Sequence, residues 1–187
     1  LTALQFISKP AEAALLYMPN DLKLSTVRIV VVIHGCLQSA EAMALGAGWN
    51  QIAEKNNLVI IYPQVPEGTN PLGCWSWFLP ENQRSDSGQL FQLMNEINGV
   101  KKLLKLKEPS IYLTGISSGA ATVAGLLACY PKEFTAGAIH SGLSYGLAQN
   151  QTEAELVLKN GPSDKLSKLP CKAKDFSGSV LVIHGIE

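Results

Sequence analysis

The segment Ile111-Tyr112-Leu113-Thr114-Gly115-Ile116-Ser117-Ser118-Gly119-Ala120-Ala121 constrains this chain more than any other. It opens on aliphatic and β-branched residues, passes through Gly-x-Ser-x-Gly, and runs into small residues suited to a helix start. A serine between strand and helix takes a strained backbone. The residues two before and two after it must be nearly free of side chain, or they collide across the turn. Gly115 and Gly119 meet that demand. The expected result is a nucleophile elbow, with the Ser117 hydroxyl clear of the top of a sheet. Ordinary turns also use Gly and Ser; the flanking strand and helix are what favour a nucleophile.

Apolar runs alternate with helical spacings on either side. Strands are expected over residues 13–18, 27–33, 58–62, 135–139 and 180–183, and helices over 41–56, 90–106 and 118–129. This order implies an α/β fold, a mainly parallel sheet with helices on both faces, in a single domain over 1–187. The loop from 64 to 85 is longer than a connection requires, which marks a functional loop. Ligands of such sheets bind beyond the carboxyl ends of the strands. His34-Gly35-Cys36, Tyr62-Pro63, Ser117 and His140-Ser141-Gly142 all follow such ends, so the chemistry is expected on one edge.

Fifteen basic and fifteen acidic side chains cancel, and no basic run is long enough to track a phosphate backbone, which argues against nucleic-acid binding. Lys101, Lys102, Lys105 and Lys107 read as a solvated helix face. No stretch approaches the ~18 apolar residues of a membrane span. The four cysteines form no Cys-x-x-Cys pair and have no histidine cluster beside them, so a zinc site is not expected. They permit two bridges in an oxidising compartment.

Acyl transfer needs a nucleophile, oxyanion donors, a base and a group that orients the base. With Ser117 as nucleophile, one donor is the backbone N–H of Ser118, and the other comes from the loop Ile33-His34-Gly35-Cys36-Leu37. Cys36 is assigned that role, with Leu37 as the alternative. His34 reads as a support of this loop. His140 precedes the place of a base in the chain order nucleophile, acid, histidine. His184 lies where the acid-bearing turn is expected to begin, and Glu187 is a candidate acid. No histidine stands in the position of the base. The expectation is that the chain is the N-terminal part of a hydrolase domain, with acid and histidine beyond residue 187.

Taken together, His34-Gly35-Cys36-x-Gln38-Ser39, Tyr62-Pro63-Gln64, Cys74-Trp75-Ser76-Trp77-Phe78, the Ser117 motif and His140-Ser141-Gly142-Leu143-x-Tyr145-Gly146 make the chain resemble the polyhydroxybutyrate depolymerase-like esterases. These include feruloyl and acetylxylan esterase relatives. The resemblance implies an α/β-hydrolase that is secreted or periplasmic, needs no cofactor, and acts on a polyester or an ester-decorated polymer. It matches Ser117 to the nucleophile, Cys36 and Ser118 to the oxyanion donors, and Trp75, Trp77 and Tyr145 to the substrate side of the cleft. Ser118 and Ala120 replace the family's usual Ala and Gly, both still small. Disulfides are expected between Cys36 and Cys74, tying the oxyanion loop to the Trp-rich loop, and between Cys129 and Cys171. A monomer is expected. The competing reading is a non-catalytic remnant that binds an ester or polymer without turning it over.

Overall fold

Alternation of β-branched residues toward both faces is what sets the sheet. In the computed structural model, which describes residues 5–6, 14–162 and 169–185, the strands are β1 (Gln5–Phe6), β2 (Leu15–Tyr17), β3 (Arg28–Ile33), β4 (Leu58–Tyr62), β5 (Ile111–Ile116), β6 (Ala136–His140) and β7 (Ser179–Ile183). They form one sheet in the order β1-β2-β4-β3-β5-β6-β7. The pairs β1–β2 and β2–β4 are antiparallel and all others parallel. Register places Ile33, Gly115 and Ile139 on one rung, so the loops leaving β3, β5 and β6 emerge side by side.

The helices are α1 (Ala40–Gly46), α2 (Trp49–Asn56), α3 (Gly88–Leu103), α4 (Ser118–Cys129) and α5 (Gln151–Asn160). Ile29, Val31 and Ile33 pack with Ile97, Val123 and Leu126 on the α3/α4 side, whereas Val30, Val32 and Ile60 pack with Ala44 and Ala53 on the α1/α2 side. This two-sided burial is what a nearly continuous apolar strand requires. On β7, by contrast, Val180, Leu181, Val182 and Ile183 are 45–60% exposed.

Two expectations are corrected. The single helix over 41–56 is two helices, because Gly48 at φ 74° turns the chain between them and Ser39 Oγ caps α1 by accepting from Ala42 N–H. Lys105 and Lys107 lie past the end of α3, so they share no helix face with Lys101 and Lys102. The helix α5 had no counterpart in the sequence reading; it buries only Ala154 and Val157. No described helix is long and apolar enough to cross a membrane.

Candidate active site

Ser117 sits between β5 and α4 with φ 55° and ψ −119°, and it is exposed. A non-glycine residue held there stores ~1–3 kcal/mol of strain, and its surroundings must over-determine it. They do. Its N–H donates to His140 O (2.9 Å), and its carbonyl accepts from Ala121 N–H (3.0 Å). A Cβ on Gly115 would lie 2.6 Å from the Gly119 carbonyl carbon and oxygen, and one on Gly119 would lie 2.3 Å from His34 O. The two glycines thus let α4 seat directly on the ends of β5 and β3.

The loop after β3 approaches the same point. A Cβ on Gly35 would come within 3.4 Å of Ser117 Cβ and 3.1 Å of Ile116 O. Two of this loop's three amides are committed: Gly35 N–H donates to Gln38 Oε1 (2.8 Å), and Leu37 N–H donates to Leu72 O (2.8 Å). Leu37 N–H, the alternative candidate donor, is thus engaged, and Cys36 N–H has no partner among the described residues. Ser118, the first residue of α4, has no intrahelical acceptor for its N–H. Its hydroxyl donates to Cys36 Sγ (3.4 Å), so the two candidate donors are linked through their side chains.

His34 is fully buried. Val65 N–H donates to its Nε2 (3.2 Å), which leaves Nδ1 to carry the proton and donate to Gly35 O (2.8 Å). Burial holds its pKa below the usual 6.5, against a smaller opposing effect from the Gly35 bond. It is therefore a neutral strut with one fixed tautomer. His184 Nε2 is bonded to Gly142 O (2.8 Å), and His140 lines a cavity of about 540 Å³ together with Gln38 and Ile116. No described imidazole hydrogen-bonds to Ser117. Glu187 lies outside the described residues.

Both disulfides are present, Cys36–Cys74 and Cys129–Cys171. The first joins the oxyanion loop to the Trp-rich loop. There, Asn70 Oδ1 accepts from Cys74 N–H (2.9 Å) and Asn70 Nδ2 donates to Cys74 O (2.7 Å). Gln89 and Asn82 hold the Ser76 N–H and carbonyl at 2.9 Å each. This clamp splits the two tryptophans. Trp75, expected beside the substrate, is 2% exposed and stacks obliquely on His34 at 5.4 Å, so it is a core support of the loop after β3. Trp77 is half-buried, edge-on to Phe78, on the outer side. Tyr145, matched to the substrate side, instead commits its hydroxyl to Gln83 O (2.5 Å) and accepts from Cys171 N–H (3.4 Å), bracing the second disulfide.

Sequence reasoning missed the residues that brace these loops. Gln64 caps α1 through Ala40 N–H (2.8 Å), and Val65 fixes the His34 tautomer. Gln38 and Gln64 stood within the quoted motifs, which was the available signal; nothing in the sequence marked Val65 or Asn70.

A family model described as "Esterase PHB depolymerase" matches residues 12–185. The chain belongs to this family. Among relatives of this esterase-family chain, poly(3-hydroxyalkanoate) depolymerase C of Paucimonas lemoignei is 29% identical over 133 residues, 71% of this chain and 32% of the relative. Acetylxylan esterase A of Aspergillus oryzae is 29% identical over 184 residues, 91% of this chain and 58% of the relative. An acetyl xylan esterase structure from Aspergillus awamori superposes with a TM-score of 0.70 at 24% identity, covering 81% of this chain and 56% of that one. The fold is thus that of the α/β-hydrolase esterases. The chain spans about a third to three fifths of the length of these proteins.

Proposed function

We propose that this chain carries the nucleophile and oxyanion hole of a serine carboxylic ester hydrolase acting on polyester or ester-decorated polymer. The observation that carries the reading is the strained, exposed Ser117 beside the one uncommitted amide of the Gly35 loop. Ser117 Oγ attacks the ester carbonyl, and its proton passes to a base. The carbonyl oxygen takes the negative charge and is held by the N–H groups of Cys36 and Ser118, worth ~10²–10³ in turnover per donor. Collapse expels the alcohol, which takes up a proton, and leaves Ser117 acylated; water then releases the acid. Trp77 borders the substrate.

His34 is locked neutral with both nitrogens engaged, and neither the His140 nor the His184 imidazole is bonded to Ser117. No imidazole of the described residues is assigned as the base. The same observation favours the second reading, a chain that binds esters through its Trp-rich loop without turnover. Two disulfides support an oxidising compartment, secreted or periplasmic.

The test is fluorophosphonate labelling and p-nitrophenyl ester hydrolysis by the chain alone and by a version extended ~60–80 residues in the parent. Chain order in this architecture places the acid and the histidine after the nucleophile. Slow labelling of the short chain, fast labelling of the long one, and loss of several decades of turnover in Ser117→Ala are expected. Fast stoichiometric labelling in the short chain would overturn that reading and point to His140 as the base. Turnover in Ser117→Ala within about tenfold of the parent would refute the nucleophile.

A further inference from the structure

Leu37 runs against two rules of folded chains at once. Its backbone is left-handed, at φ 60°, where glycine or asparagine would sit without penalty. Its side chain is 80% exposed, so no packing offsets that penalty. The backbone is held in this shape from both sides: Cys36 is tied to Cys74, and Leu37 N–H is bonded to Leu72 O. Leu72 is 55% exposed itself, and Asn70 Oδ1 accepts its N–H at 3.2 Å. Two exposed leucines are thus fixed next to each other on rigid loops, immediately after the amide assigned to the oxyanion. The segments that carry them, residues 29–40 and 68–80, contain no Asp, Glu, Lys or Arg.

We infer that Leu37 and Leu72 form an apolar lip that holds the aliphatic acyl chain of the substrate and sets a preference for acyl groups longer than acetyl. The inference rests on the proposed function, since it takes the Cys36 N–H as the point that fixes the ester carbonyl. Consecutive Cα atoms are about 3.8 Å apart, so an acyl chain leaving a carbonyl held at Cys36 meets Leu37 within about four carbons. An acetyl group ends short of it. A sugar hydroxyl gains nothing from two leucines, whereas each methylene laid on them leaves water on one side. Full burial of a methylene is worth about fourfold in affinity, and one-sided contact about half that free energy, or twofold.

The experiment measures binding without turnover. Ser117→Ala protein is titrated with p-nitrophenyl butyrate, hexanoate and octanoate, followed by tryptophan fluorescence. Affinity is expected to rise about sixteenfold from butyrate to octanoate. In the Leu37→Asn/Leu72→Asn variant the same series is expected to be flat within about twofold. Leu37→Asn alone is expected to raise the melting temperature slightly, because asparagine tolerates the left-handed backbone. An equal rise with chain length in the double variant, or no rise in the parent, would overturn the inference. So would a flat series accompanied by a lower melting temperature in Leu37→Asn, which would make the leucine a structural residue. Because no arm requires hydrolysis, an unreactive Ser117 would sink the proposed function and leave this result standing.

Discussion

Replacing Gly119 with Ala adds one methyl group where α4 meets the end of β3. The new Cβ would lie 2.3 Å from His34 O and 2.5 Å from Ile33 O. A carbon–oxygen contact normally closes at about 3.3 Å, so helix and strand must separate by roughly 1 Å. Both opposing atoms are backbone carbonyls at the end of central strand β3 and the first residue after it, and they cannot rotate away. Overpacking of this kind costs ~1–3 kcal/mol, with the rigid contact pushing toward the upper end, while alanine returns ~0.5–1 kcal/mol of helix propensity. The net expectation is a loss of about 2 kcal/mol, which lowers the melting temperature by about 4–8 °C in a chain of this size. Gly99 supplies the control. It is exposed within α3, and nothing lies within 4 Å of a Cβ there, so Gly99→Ala is expected to raise the melting temperature by about 1–4 °C. Thermal denaturation followed by circular dichroism reads both. A Gly119→Ala protein melting at or above the parent would refute the claim that this glycine is required by close approach.

Two further outcomes follow from the loop supports. Replacing Cys36 and Cys74 together by Ser releases a 38-residue closure and is expected to cost about 3–4 kcal/mol in chemical denaturation, with faster proteolysis between the two positions. His34 is held below its ordinary pKa of 6.5 by burial, so the unfolded chain binds its proton first as the solution is acidified. Its contribution to stability is complete above about pH 6.5 and is lost progressively below it. In His34→Gln, whose amide also offers one donor and one acceptor, the stability difference between pH 7.5 and 5.5 is expected to shrink; an unchanged difference would mean that His34 is not the group responsible.

The parts of this protein that were legible in its sequence are those whose demands are local. Leu58–Tyr62 and Ser118–Cys129 have the boundaries read from the pattern, one as an unbroken apolar run between Asn57 and Pro63, the other as a small-residue helix launched by the elbow. The elbow itself was legible because steric exclusion across one turn involves residues only two positions apart. Ala47-Gly48 was not seen as a break, since a glycine within a helical spacing is tolerated as often as it ends the helix. The fates of Trp75 and Trp77 were illegible for a different reason. In an irregular loop no period tells inside from outside, and the clamp that turns them in opposite directions comes from Asn82 and Gln89, residues of later elements. The His34 tautomer likewise depends on Val65, 31 residues away.

The exposed apolar residues of β7 bear on how the chain behaves in bulk. Ser179–Ile183 pairs with β6 on one side, and Val180 through Ile183 present aliphatic and mostly β-branched side chains to water on both faces. Among the described residues this edge carries neither charge nor cover, the condition under which strand edges pair with one another. Two molecules joined through it use up both edges, so a contact of that kind closes at a pair and does not propagate.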